Sequence, residues 1–370
     1  DCPDYRTNTI GTCKHIEGVL AHLRSELGRR WQTLAAQPPE VTEIYLHHGE
    51  RPTVRATRPW PEGRRMAPLR ALLDRHFDPE GVLQGDPLHT LPALLSELGR
   101  VAPAAGRRVL VREPVRQLLD RLSDQDVIRR QKEWFLAQVR AGARSLEVLA
   151  EPLYPFQHDG MLHLAFGGRA LLADDMGLGK TVQAIAASVL LRQLRDIRRV
   201  VVVCPASLKH QWKREVERFT SCDVTVVEGG ARARRDLYRR GTFFTVVNYE
   251  LVLRDLDHLE ELAPDLVILD EAQRIKNWRT KTADAVKRLP SRYAFVLTGT
   301  PFENRLDELY SVFQFVDPSV LGPLWRFNQR YFEVERRRSG SYKVTGLKNL
   351  TELRRRIRPY VLRRTRDEVL

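Results

Sequence analysis

The chain has 370 residues, 42% of them hydrophobic, and its 61 Lys and Arg against 47 Asp and Glu give a net charge of +14. That length exceeds what one hydrophobic core usually supports, and no apolar run approaches the roughly 18 residues of a membrane-spanning helix, so two or more domains away from membranes are expected. Four cysteines are too few for a disulfide framework. The first residues lack the basic and apolar segments of a secretory signal, so reduced thiols and a cytoplasmic setting are expected.

In chain order, Cys2, Cys13 and His15 come first, and residues 15–34 have helical spacing. Residues 41–56 suit a hairpin around His48-Gly49, and 91–98 and 115–122 suit helices. A long helical stretch over 124–150 is expected to end at Pro152 and Pro155, which cannot continue it. This part reads as a mixed α/β accessory region without a nameable role. Its charge is nearly balanced, with 23 basic and 19 acidic residues in 1–150, whereas 151–370 holds 38 and 28. The basic excess therefore sits in the second part, as expected of a binder of phosphate backbones.

Beyond residue 150 the runs 200–204, 266–269 and 294–297 are continuously apolar, which suits strands covered on both faces of a parallel sheet. Amphipathic stretches at 181–194 and 207–219 alternate with them, the order of a doubly wound α/β domain. Residues 171–175 form a strand that runs into Met176, Gly177, Leu178, Gly179, Lys180 and Thr181, with a helix following. Glycines let backbone N–H groups approach an anion, and a helix start adds a positive dipole. Lys180 can neutralise terminal phosphates and the Thr181 hydroxyl can hold Mg²⁺. The strict P-loop pattern has glycine where Asp174 stands. Asp270 and Glu271 end the run 266–269, where α/β sheets bind ligands. Asp270 suits a hold on Mg²⁺, and Glu271 suits the base that orients a water. Thr298, Gly299 and Thr300 end the next run in a small polar loop able to sense the phosphate site. Taken singly, the acidic pair and this loop also suit ordinary strand-to-helix turns.

Together these segments resemble the Swi/Snf family of superfamily 2 ATPases over about residues 150–370. The likeness rests on Leu153 to Gly160, Asp174 to Thr181, Cys204 to Leu208, Asn248-Tyr249-Glu250, Asp270 to Asn277 and Leu297 to Pro301. The family form of the loop carries aspartate in place of the first glycine. The resemblance implies a RecA-like doubly wound parallel sheet, a P-loop NTPase lobe, with ATP and Mg²⁺ as cofactors and Gln157 recognising adenine. It implies double-stranded DNA as partner, contacted by Ser207, Lys209, Asn248, Tyr249 and Lys276, and protein–DNA complexes as substrates. Gln273 departs from the histidine of many relatives. The chain is expected to stop before the second lobe and its arginine fingers, worth roughly 10³ to 10⁵ in rate, so the 370 residues are expected to hydrolyse ATP poorly. A strand-separating helicase and a catalytically silent nucleic-acid-binding scaffold remain open as alternatives.

Cys2, Cys13 and His15 resemble the tail of a SWIM zinc finger, implying three of four Zn²⁺ ligands, a set suited to tetrahedral zinc. With the fourth ligand falling ahead of Asp1, weak zinc binding is expected. The expected division is therefore 1–34, partial zinc finger and helix; 35–150, accessory region; 151–370, first ATP-binding lobe. Arg outnumbers Lys 51 to 10, which hints at a GC-rich bacterial gene and a nucleoid-associated protein.

Overall fold

The computed structural model describes residues 14–35, 41–48, 52–58, 60, 63–104, 109–275, 277, 280–299, 306–336 and 342–369. The chain divides into two compact units, residues 1–129 and 130–370. The division falls ahead of residue 150 because Phe135 is buried in the core of the second unit, with Leu136, Val139 and Leu149 packed against that core.

In the first unit, strand Thr42–His48 lies between Pro52–Ala56, antiparallel, and Val109–Val111, parallel. The strand pair matches the expected hairpin, whose turn lies outside the described residues. Ile44 and Val54 share a core with Leu69 and Leu73 of helix Ala67–His76 and Leu91 and Leu94 of helix Pro87–Ala104. The helical stretch 15–34 is two helices, Lys14–Leu27 and Arg29–Ala35, separated at Gly28, whose φ of 49° leaves the right-handed region. Residues 115–122 and 124–150 are not two helices but one, Glu113–Arg140. It ends well before the prolines because Gly142 adopts a φ of 73°. The Gly142 N–H then donates to the Val139 carbonyl and the Ala143 N–H to the Gln138 carbonyl, each at 3.0 Å, the paired bonds of a glycine-terminated helix end.

Among the described residues, the main sheet of the second unit has seven strands: β1 (Arg169–Leu172), β2 (Val200–Cys204), β3 (Val224–Val226), β4 (Phe244–Asn248), β5 (Leu266–Leu269), β6 (Tyr293–Leu297) and β7 (Val361–Leu362). Their order is β7-β1-β6-β5-β2-β4-β3, and every pairing is parallel. Residues alternate between two cores, as the period of two demands. Leu171, Val201, Val203, Val267, Leu269 and Val296 join one core. Leu172, Val200, Val202, Ile268, Phe295 and Leu297 join the other. Helices α1 (Pro155–Gly167), α2 (Lys180–Arg195) and α3 (Lys209–Phe219) cover the second face. Helices Tyr249–Arg254, Leu256–Leu262, Lys281–Arg288 and Leu306–Val316 cover the first. The continuously apolar runs are thus buried on both sides, which is why they read as unbroken in the sequence. No described helix is long and apolar enough to cross a membrane.

Candidate nucleotide site

The register aligns the C-terminal ends of five strands. Leu172 pairs with Leu297, Val296 with Leu269, Leu269 with Val203 and Cys204 with Asn248. The glycine loop, Thr298-Gly299, Asp270-Glu271, Ser207 and Asn248 therefore leave the sheet along one edge, where parallel sheets present ligand sites.

After β1 the loop turns through Gly177 and Gly179, at φ values of 87° and 73°, a conformation that costs glycine little. Gly179 caps α2, whose first residue is Lys180. The loop leads directly into the start of α2, where the helix dipole favours an anion. A Cβ on Gly179 would lie 2.5 Å from Gln157 Nε2, and one on Gly299 would lie 2.9 Å from Met176 Cγ and 3.5 Å from Lys180 Nζ. The polar loop after β6 thus lies against the glycine loop, with Thr298 fully buried.

Lys180 Nζ donates to the carbonyls of Asp174 (2.8 Å) and Asp175 (3.1 Å). Burial pulls its ammonium below the ordinary lysine range, while Asp174, Glu271, Asp270 and Asp175 pull the other way. Asp270 is buried; its Oδ2 accepts the Trp212 indole N–H at 2.8 Å and its Oδ1 the Glu271 N–H at 2.9 Å. Burial pushes its carboxyl upward, the Trp212 bond lowers it, and the Glu271 charge raises it again. Glu271 sits at a φ of 51°, a left-handed strain of the kind concentrated at functional sites. Gln273 Nε2 donates to Glu271 Oε2 at 2.5 Å, and the Thr298 hydroxyl donates to Gln273 Oε1 at 3.3 Å. Gln273 therefore bridges the acidic pair and the loop after β6.

Gln157 is buried, its Oε1 accepting the Tyr154 N–H at 3.1 Å and its Nε2 donating to the Leu178 carbonyl at 3.4 Å. Beside it, the exposed Tyr154 ring stacks on Phe156. Met176 is exposed, while Leu178 is buried beneath the loop. Thr181 is half-buried one residue into α2. Thr300 lies outside the described residues.

Ser207 is exposed beyond β2, and Asn248 ends β4 with its Nδ2 donating to Glu250 Oε2 at 2.6 Å. Lys209 and Tyr249, expected to meet a nucleic-acid backbone, have their side chains turned inward. Lys209 Nζ donates to the Val227 carbonyl at 2.9 Å, and the Tyr249 hydroxyl donates to the Asp270 carbonyl at 2.8 Å. Both are buried, since each polar tip finds a backbone acceptor that lets its long stem or ring fill the core. Lys276, Cys2 and Cys13 lie outside the described residues, as does the His15 side chain. Among the described residues no group of three or more His, Cys, Asp or Glu is placed to hold a metal. Magnesium needs less, one or two protein ligands beside phosphate and water, a demand that Thr181 and Asp270 fit. Cys204 is a buried free thiol pushed up to about 12 by burial, and Cys222 is a half-buried one.

Sequence reasoning passed over Trp212, Gln183 and Arg364. Gln183 is buried with its Nε2 donating to the Leu178 carbonyl at 2.9 Å. Arg364 reaches the glycine loop from the far end of the chain, bonding Asp174 Oδ2 at 2.5 Å. No local signal marks Trp212 and Arg364, because their partners Asp270 and Asp174 are 58 and 190 residues away in sequence.

A parallel sheet with a glycine loop after β1, an acidic pair after β5 and a hydroxyl loop after β6 defines a RecA-like P-loop lobe. The family model of the SNF2-related domain matches residues 133–370, and the chain belongs to that family. The chain is 33% identical over 258 residues to the DNA repair and recombination protein RAD54B of Gallus gallus, covering 62% of this chain and 28% of that protein. It is 32% identical over 236 residues to the TATA-binding protein-associated factor BTAF1 of Arabidopsis thaliana, covering 58% and 12%. The chain thus spans about a quarter or less of the curated relatives' length. Among solved structures it is similar to the Sulfolobus solfataricus SWI2/SNF2 ATPase core in complex with dsDNA, at 31% identity and a TM-score of 0.52 over 60% of this chain and 47% of that one.

Proposed function

We propose that this chain is the first, ATP-binding lobe of a translocase that moves on double-stranded DNA and remodels protein–DNA complexes. The observation that carries the reading is the shared edge: the glycine loop, Asp270-Glu271, Thr298-Gly299, Ser207 and Asn248 all leave one sheet on one side. The likeness to a core solved with dsDNA supports the choice of duplex as partner. Repair and TATA-factor relatives support protein–DNA complexes as substrates.

Lys180 and Thr181 would hold the phosphates and their Mg²⁺, with Asp270 a further ligand to the ion. The ion supplies neutralisation of phosphate charge. Glu271, aimed by its strained backbone and by Gln273, holds and accepts a proton of the attacking water. Gln273 passes the state of that carboxylate to Thr298 through one amide. Tyr249 joins the end of β4 to the Asp270 carbonyl, so movement of a phosphate at Asn248 is felt at the acidic pair. Lys209 and Tyr249 serve DNA through backbone position rather than side-chain contact. Gln157 faces adenine from the N-terminus of α1, with Tyr154 available to stack on the base.

The test is single-turnover ATP hydrolysis by the chain extended through a second lobe, with no nucleic acid, duplex DNA, single-stranded DNA or RNA, beside Glu271→Gln, and Mg-ATP binding beside Lys180→Ala. Tenfold or greater stimulation by duplex, lost in Glu271→Gln, is expected. Stimulation by RNA or single strands alone would replace this reading by the helicase one, and no turnover with any of them would leave the scaffold. We further infer that Cys2, Cys13 and His15 end a SWIM-type zinc site and that the protein works in the cytoplasm at the nucleoid. Metal analysis of a chain extended upstream is expected to find zinc that Cys13→Ser removes; no zinc there would end the SWIM reading.

A further inference from the structure

Arg364 is the most heavily bonded side chain beside the glycine loop, and the chemistry above does not use it. Its Nε donates to Asp174 Oδ1 at 3.1 Å, and its Nη2 donates to Asp174 Oδ2 at 2.5 Å and to Gln183 Oε1 at 2.9 Å. Its Nη1 donates to the Phe156 carbonyl. The two charged side chains are 12% and 0% exposed. One guanidinium thus fastens α1, the root of the glycine loop and α2 together.

The backbone around Arg364 follows the same loop. The Ala173 N–H donates to the Leu362 carbonyl at 2.8 Å, the Arg364 N–H to Asp174 Oδ1 at 3.1 Å, the Asp175 N–H to the Arg364 carbonyl at 3.0 Å, and the Arg366 N–H to Asp175 Oδ2 at 3.3 Å. The Arg366 guanidinium fills the space where a Cβ on Gly177 would stand. Residues 361–366 therefore form a strap along the loop, entering through the two-residue strand β7.

We propose that the strap and the nucleotide are linked ligands of the glycine loop: seating of 361–366 through Arg364 strengthens Mg-ATP binding, and Mg-ATP holds the strap in place. The proposal rests on the nucleotide reading above. If the strap lifts, the Asp174 carboxylate is left buried without its cation, which is far more costly than the seated pair. The loop must then rearrange, and the Asp174 and Asp175 carbonyls that hold Lys180 Nζ go with it. Linkage is reciprocal, and coupling between sites typically spans 5- to 150-fold. Arg364 is a positioning residue, acting on nucleotide through Asp174. Anything that draws residues 361–366 out of the sheet would release nucleotide, which makes this segment a mechanical reporter of the site.

Two measurements on the whole chain test this: Mg-ATP affinity by calorimetry, and amide hydrogen exchange of residues 361–366 and 174–180 with and without Mg-ATP. In the parent protein, Mg-ATP is expected to slow exchange in both segments at least tenfold. Arg364→Lys keeps the charge but loses the fork, and is expected to weaken Mg-ATP about tenfold and abolish its protection of 361–366 while saturating Mg-ATP still protects 174–180. Gln183→Leu, which keeps the ion pair, is expected to give a smaller loss of two- to fivefold. Protection of 174–180 without protection of 361–366 in the parent, or unchanged affinity in Arg364→Lys, would overturn the linkage while leaving the nucleotide reading intact. Protection of neither segment would overturn both. The parent exchange pattern needs no substitution, so a variant that fails to fold leaves the test standing.

Discussion

Replacing Asp174 by glycine would bring the loop closer to the strict P-loop pattern, yet the structure predicts damage. Asp174 is fully buried and its carboxylate is the ion partner of Arg364, whose side chain is only 12% exposed. Removing one member of such a pair costs about 3–5 kcal/mol. Arg364 keeps Gln183 and the Phe156 carbonyl as acceptors and is near enough to solvent for water to reach it, so the lower end applies, about 3 kcal/mol. Added backbone freedom costs about 0.5–1 kcal/mol more. Exchange of the Val201, Val203 and Ile268 amides, at the centre of the sheet, reports the stability of this unit by itself. At 1.4 kcal/mol per factor of ten, the combined loss of about 3.5–4 kcal/mol should make these amides exchange roughly 300- to 700-fold faster in Asp174→Gly. The double variant Asp174→Gly/Arg364→Leu removes both charges and should recover at least half of the loss. An acceleration below about fivefold in the single variant, or no recovery in the double, would refute the assignment of Asp174 as the counter-ion of Arg364.

Gly179→Ala forces a side chain into a φ of 73° and against Gln157 Nε2; a stability loss of about 1–3 kcal/mol and at least tenfold weaker Mg-ATP binding are expected by urea unfolding and calorimetry. Trp212→Phe removes the indole donor that lowers Asp270, so the acid limb of Mg-ATP binding should move to higher pH, at a stability cost of about 1–3 kcal/mol. Lys287 is pulled by burial from 10.5 to about 8, so between those values the unfolded chain binds the extra proton and stability rises with pH. Below pH 8 the cost is present in full, up to about 3 kcal/mol. Lys287→Met should therefore be more stable than the parent at pH 7, and unfolding curves from pH 7 to 10.5 should show that advantage shrinking.

What could be read from the sequence was what depends on neighbours in the chain. Burial on both faces makes the strand runs at 200–204, 266–269 and 294–297 continuously apolar, and a phosphate cradle needs its glycines, lysine and threonine in one short loop between a strand and a helix. The lobe and the chemical character of Lys180, Asp270 and Glu271 were legible for that reason. The helix end at Arg140 was less so, because prolines at 152 and 155 spoke louder than Gly142, whose positive φ and paired end bonds decide the matter. Strand β7 has two residues and exists only because β1 offers it an edge, so no periodicity could announce it. Lys209 and Tyr249 were expected at the DNA from the family resemblance, but carbonyls of Val227 and Asp270 drew their tips inside. Asp174 carried the sharpest division. Its place in the loop was visible in the sequence, whereas its physical purpose, neutralising an arginine that arrives from residue 364, existed only once the fold had brought the two ends of the lobe together, because a buried charge is tolerated only beside its partner.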